Sequence, residues 1–136
     1  QDGTLVAFCV MGGIFSEGID LIGDRLIGAA VVGTGLPQVN CEREILKGYY
    51  DEKGEQGFDY AYRYPGMNKV LQAAGRVIRT KEDTGAILLM DERFLNRDYR
   101  NLFPREWNDA CTCTLGNVEK HLQAFWDVSE ENDIIC

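Results

Sequence analysis

Leu26-Ile27-Gly28-Ala29-Ala30-Val31-Val32, closed by Gly33-Thr34-Gly35-Leu36-Pro37, is the stretch that decides the fold class. Residues 26–32 are apolar with no polar alternation, the pattern of a strand covered on both faces, and the glycines and proline after them end it in a turn. Similar runs lie on either side, at residues 4–10 and at Ala86-Ile87-Leu88-Leu89-Met90-Asp91. Helical signals fill the interval. Asn40 is placed to cap a helix over residues 41–50, since its side-chain oxygen can accept from first-turn amides. Residues 51–58 read as a polar loop and residues 58–64 as an aromatic helical stretch. Pro65-Gly66 then breaks or kinks the chain before a helix over residues 67–79. On that helix Val70, Leu71, Ala74, Val77 and Ile78 are expected to face the sheet. Strands without alternation, separated by helices, predict an α/β fold with a mostly parallel sheet and helices on both faces.

Bulk properties narrow the function classes. A chain of 136 residues with 45% hydrophobic content can build a core. It holds no apolar run long enough to span a membrane. No basic region followed by an apolar block stands at the N-terminus, so no signal peptide is visible, and a cytoplasmic location is expected. Gln1 is not an initiator methionine and a strand-like run follows it almost at once, so the chain is expected to be a fragment. Five cysteines, Cys9, Cys41, Cys111, Cys113 and Cys136, are an odd and irregular set, which speaks against a disulfide framework. Cys111 and Cys113 make a C-x-C without a second pair, so no metal site is assigned. His121, the only histidine, reads as a helix-surface residue.

The net charge of −8 is unevenly spread. Residues 106–136 hold seven acids against Lys120, whereas residues 69–81 hold Lys69, Arg76, Arg79 and Lys81 with no acid. The motif region is therefore locally cationic, and the tail mainly aids solubility. Residues 115–128 read as an amphipathic helix with Leu115, Val118, Leu122, Phe125 and Trp126 on one face.

Two segments carry chemistry. In Gln72-Ala73-Ala74-Gly75-Arg76-Val77-Ile78-Arg79, a continuous helix would put Gln72, Arg76 and Arg79 on one stripe, ending in two permanent guanidinium charges. Such a stripe suits a group that gains negative charge, such as a nucleotide phosphoryl. It is equally an ordinary solvated helix face. Upstream lies Gly12-Gly13-Ile14-Phe15-Ser16-Glu17-Gly18-Ile19-Asp20. This loop lacks the Gly-x-Gly-x-x-Gly of a dinucleotide fold and could be a plain strand-to-helix turn. Tyr60, Tyr62 and Tyr64 could stack on unpaired bases, though packing within the fold is the safer reading. Arg93, in Asp91-Glu92-Arg93-Phe94, is at least as well read as a salt-bridge partner of Asp91 or Glu17.

Taken in order, these segments resemble motifs V and VI of superfamily 2 DNA helicases of the XPD-like and DinG-like type. Ser16-Glu17-Gly18-Ile19-Asp20 looks like motif V, and Gln72 to Arg79 like motif VI. The strand and Pro turn at residues 31–37, then Thr84-Gly85 and Asp91-Glu92-Arg93-Phe94, follow the pattern too, over roughly residues 3–107. The resemblance implies the second RecA-like motor domain of an ATP-dependent DNA helicase, truncated at its N-terminal side. That domain is taken as residues 1–110, while residues 111–136, outside the resemblance, are read from their own pattern as a C-terminal helix packed on it plus an acidic tail.

The same resemblance implies roles. Arg76 and Arg79 would reach the γ-phosphate as arginine fingers, and Gln72 would position that phosphate or the attacking water. Gly18 and Asp20 would face the nucleotide, Gly13 and Ser16 a DNA phosphate, and Glu17 would couple the two sites. No Gly-x-x-x-x-Gly-Lys-[Ser/Thr] loop or Asp-Glu-x-His box is present, so ATP's phosphates and Mg2+ would be held largely by an N-terminal RecA-like domain of the parent protein. The chain alone is then expected to be inactive. Single-stranded DNA is the other implied partner, so the protein would be nucleoid-associated, or nuclear in a eukaryote. An iron–sulfur cluster belongs to the other motor half in this family, so none of the five cysteines is assigned to it. The alternative is a non-catalytic RecA-like module for docking protein or nucleic acid.

Overall fold

The computed structural model describes residues 3–13, 21, 25–80 and 82–132, with the side chains of 128–132 left aside. The chain divides into two compact units, Gln1–Leu102 and Phe103–Cys136. No helix among the described residues is long and apolar enough to cross a membrane.

The first unit is built on two parallel strands, β1 (Gly28–Val32) and β2 (Ala86–Met90), in register from Gly28 opposite Ala86 to Val32 opposite Met90. Parallel strands require a crossover, and here helices supply it. Helix α1 (Cys41–Glu52) begins where expected, with the Asn40 side chain accepting from the Arg43 amide at 2.9 Å. A π-helical stretch, Asp59–Arg63, leads directly into α2 (Tyr64–Ala74). Pro65 lies in the first turn of α2, directly after the π-helical stretch; it offers no N–H to the Ala61 carbonyl four residues back, which accepts from Arg43 instead, so the helical run changes type here without being broken. The expected α/β arrangement with a parallel sheet is therefore present.

α2 packs on β1, and Met67, Val70 and Ala74 on the helix and Val31 on the strand are buried. Complete burial of a side chain such as Val70 stabilises by about 1.5–3 kcal/mol over leaving it exposed. The closest approach is backbone to backbone. A Cβ on Gly66 would stand 2.6 Å from the Thr34 carbonyl oxygen, and one on Gly35, at φ +65°, would stand 2.8 Å from the Gly66 carbonyl oxygen. Only hydrogen at both positions lets α2 lie this close to the turn after β1.

The π-helical stretch is held from both sides. Arg43 donates to the Ala61 carbonyl at 2.7 Å, and the Tyr62 hydroxyl donates to Glu44 at 2.5 Å. Arg63 pairs with Asp59 at 2.7 Å and reaches Asp98 at 3.4 Å, its guanidinium lying over Tyr99. Asp98 and Tyr99 belong to the one-turn helix α3 (Arg97–Arg100), which follows a 3-10 turn at Glu92–Leu95. The tyrosines are committed to packing: Tyr60 stacks on Tyr50 at 3.9 Å and meets Tyr64 edge-on, while Tyr62 is buried.

Three expectations are corrected. Residues 4–10 form no strand, and Leu5, Val6, Phe8 and Val10 are exposed. An apolar run becomes a strand only where a neighbour completes its ladder, and among the described residues the ladder joins β1 and β2 alone. The motif helix ends at Ala74, not at residue 79. Its last turn tightens, with Arg76 N–H bonding to the Ala73 carbonyl at 3.2 Å and Val77 N–H to the Ala74 carbonyl at 3.0 Å. Ile78, past that end, is exposed rather than packed on the sheet, whereas Val77 is buried as expected.

The second unit contains a 3-10 turn, Arg105–Trp107, and helix α4 (Val118–Asn132). Leu115 falls in the turn before α4 and is exposed, so it is not part of the helical stripe. That turn is set by the Thr114 amide donating to the Asn117 side chain at 2.7 Å. Cys111 Sγ lies 3.8 Å from His121 Nδ1, a contact that ten residues of sequence separation concealed.

Candidate functional site

α2 begins the site. Lys69, Gln72 and Ala73 on this helix, with Gly75 and Arg76 just beyond it, line a pocket of about 460 Å³ whose other lining residues are Met11 and Gly12. The residues around Gly12 form a tight turn, with Gly12 at φ +80° and the Gly13 amide donating to the Val10 carbonyl at 2.9 Å. The Lys69 stem runs beside it, so that a Cβ on Gly12 would stand 3.7 Å from Lys69 Cε. Two cationic side chains, one amide side chain and no carboxylate line the pocket. That donor set suits an anion, a phosphate oxygen above all.

The structure brings together part of the predicted set. Gln72 and Arg76 share the pocket, and Gly13 directly follows Gly12 at its edge. Arg79 is not among the lining residues, because the helix that would have carried it on the same stripe has ended. Ser16, Glu17, Gly18 and Asp20 lie outside the described residues. Lys69 was given no role from sequence. Its place three residues before Gln72, at the head of the acid-free stretch, was the available signal.

Beyond Ala74 the chain is fixed by other means. The Gly75 amide donates to the Leu71 carbonyl at 2.8 Å, and Val77 is buried. Farther on, one carboxylate oxygen of Asp83 accepts from the Arg79 amide at 2.9 Å and the Thr80 amide at 2.8 Å. These bonds, led by the one from Arg79, hold the Asp83 carboxyl below its usual range. Gly85 then presses on Val77, and Ala86 enters β2 with its amide on the Ile27 carbonyl at 3.0 Å.

Arg93 forms the expected ion pair with Asp91. Its Nε meets Oδ1 at 2.9 Å and its Nη2 meets Oδ2 at 2.7 Å, a two-point geometry. The Arg93 side chain is the main cause holding the Asp91 carboxyl down to about 2. A lowered carboxyl value stabilises the fold above the ordinary value of 3.8, and the effect vanishes as pH falls through about 2. Arg93 is partly exposed, so solvent screening leaves a net effect of roughly 0.2–1 kcal/mol. Urea denaturation of wild type and Asp91→Asn is expected to show a gap that is constant at neutral pH and closes near pH 2. A gap that persists unchanged at the acid end would remove the ion pair as its cause.

Among the described residues no three His, Cys, Asp or Glu side chains gather into a metal site. Residues 1–110 match the helicase C-terminal domain family. The chain belongs to that family. A regulator of telomere elongation helicase 1 homolog from Caenorhabditis elegans is 32% identical over 124 residues, covering 79% of this chain and 12% of that protein. The ATP-dependent DNA helicase chl-1 of the same organism is 33% identical over 132 residues, covering 93% and 16%. The ATP-dependent DNA helicase DinG of Photobacterium profundum is 35% identical over 89 residues, covering 64% and 13%. The XPD-like and DinG-like resemblance is thus established, and the parallel βαβ arrangement is that of a RecA-like helicase C-terminal domain. The chain spans less than a fifth of the length of these relatives.

Proposed function

We propose that this helicase C-terminal domain forms one wall of an ATP site in a two-motor DNA helicase. The observation that supports it is the pocket in which Lys69, Gln72 and Arg76 converge beside the turn at Met11 and Gly12. In this reading Arg76 and Arg79 meet the γ-phosphate and offset charge that spreads over its oxygens, while Gln72 orients the phosphate or the attacking water. Gly18 and Asp20 face the nucleotide, Gly13 and Ser16 hold a phosphate of single-stranded DNA, and Glu17 couples the two sites. ATP with Mg2+ supplies the phosphoryl group transferred to water. The donors lining this pocket fit the phosphate, whereas Mg2+ is assigned to the N-terminal RecA-like domain. Closure of the two domains on ATP and reopening after hydrolysis would step the protein along DNA. Such a protein works in the nucleoid or the nucleus.

The test compares ATP hydrolysis by this chain alone with hydrolysis by the two-motor protein that carries it, each with and without single-stranded DNA. The expected result is no turnover from the chain alone and DNA-stimulated turnover from the longer protein. A longer protein that binds DNA but never hydrolyses ATP would instead favour a docking module built on a motor fold.

A further inference from the structure

The helix end at Ala74 leaves Arg79 on a segment that needs its own support. A continuous helix would have fixed the residue by the Arg79 amide bonding four residues back. Here that amide and the next are both taken by Asp83 Oδ2, at 2.9 and 2.8 Å. The flanks are anchored too: Val77 is buried before the segment, and Gly85 after it lies so close to Val77 Cγ1 that a Cβ there would collide with it. Val77 and Gly85 thus meet at the base of the segment that carries Arg79 and Thr80. Asp83 is the side chain that ties its middle.

We propose that Asp83 is the positioning residue for Arg79, its carboxylate setting the path of the backbone from which the arginine reaches toward phosphate. The proposal rests on the arginine-finger reading above. An anionic acceptor holds two amides more strongly than a neutral one, and it does so without joining the chemistry. The lowered carboxyl value keeps that acceptor charged at every working pH. Placement matters because a displacement of about 1 Å at a reacting group can cost on the order of a hundredfold in rate.

The experiment is steady-state ATPase of the two-motor protein with saturating single-stranded DNA, in wild type, Asp83→Ala, Asp83→Asn, Arg79→Ala and Asp83→Ala/Arg79→Ala. Asp83→Ala is expected to lower kcat about a hundredfold, with KM for ATP little changed. Asp83→Asn keeps an acceptor oxygen and should recover part of the loss. In the Arg79→Ala background, Asp83→Ala should cost nothing further, because the group it positions is gone. Hydrogen exchange in this chain gives a separate reading, in which the Arg79 and Thr80 amides are protected in wild type and released in Asp83→Ala, while β1 and β2 stay protected. Normal kcat in Asp83→Ala beside a collapsed Arg79→Ala overturns the proposal and leaves the finger standing. Loss of equal size in both backgrounds also overturns it, since Asp83 would then act elsewhere. Normal turnover in Arg79→Ala removes the finger reading, and the proposal with it.

Discussion

Arg79→Ala is expected to abolish DNA-stimulated ATP turnover by the two-motor protein, with a fall on the order of a thousandfold or more, while ATP still binds. The size follows from what a finger does. A guanidinium is charged at any working pH, and in a site closed to water its attraction to developing phosphoryl charge is far stronger than in solution. Binding survives because the phosphate and metal contacts of the ground state lie largely on the other motor domain in this reading. Arg76→Ala is expected to act in the same direction, with a weaker nucleotide contact added, since Arg76 lines the pocket itself. The assay is turnover against DNA concentration, beside a fluorescent-nucleotide binding curve. Wild-type turnover in Arg79→Ala with intact folding would sink the finger assignment outright.

The second large effect concerns stability. Gly66→Ala places a methyl 2.6 Å from the Thr34 carbonyl oxygen, and a backbone atom cannot swing aside as a side-chain tip can. Either α2 lifts from the turn after β1 or that turn deforms, and both loosen Met67 and Val70, which are fully buried beneath. Overpacking of this kind costs about 1–3 kcal/mol, and more where backbone meets backbone. Gly35→Ala should be at least as damaging, because it adds a left-handed φ of +65° to the same contact. Gly48→Ala is the internal control. It lies inside α1 with nothing within 4 Å of an added Cβ, so it is expected to stabilise by roughly 0.5–1 kcal/mol. Urea midpoints of the three variants check the argument. A Gly66→Ala midpoint equal to wild type would mean that the close approach is not maintained in solution.

Local chemistry made much of the fold legible in the chain. The apolar runs at β1 and β2 need no partner to be recognised, because Gly, Pro and polar residues bound them. The Asn40 cap is a contact across three residues, and the Asp91–Arg93 pair spans two. The family itself could be recognised because its motifs recur in order as short contiguous strings. Composition and pattern carry such features because the interacting groups are sequence neighbours.

Tertiary structure decided what depends on groups far apart or on competition between acceptors. Residues 4–10 have the composition of a strand, yet a strand is a property of two chains in register and not of one. The stripe of Gln72, Arg76 and Arg79 assumed a helix that runs on. Gly75 and the capture of two amides by Asp83 ended that possibility, since a backbone N–H bonded to a side chain is not available to the helix. Lys69 entered the site because a turn at Met11 and Gly12, more than fifty residues away in sequence, folds against it. Sequence alone thus determined the α/β class, the family and the cationic segment, all set by local pattern. Which of those cations share a pocket was decided only by the folded chain, where helix termination and backbone contact fix each side chain's place.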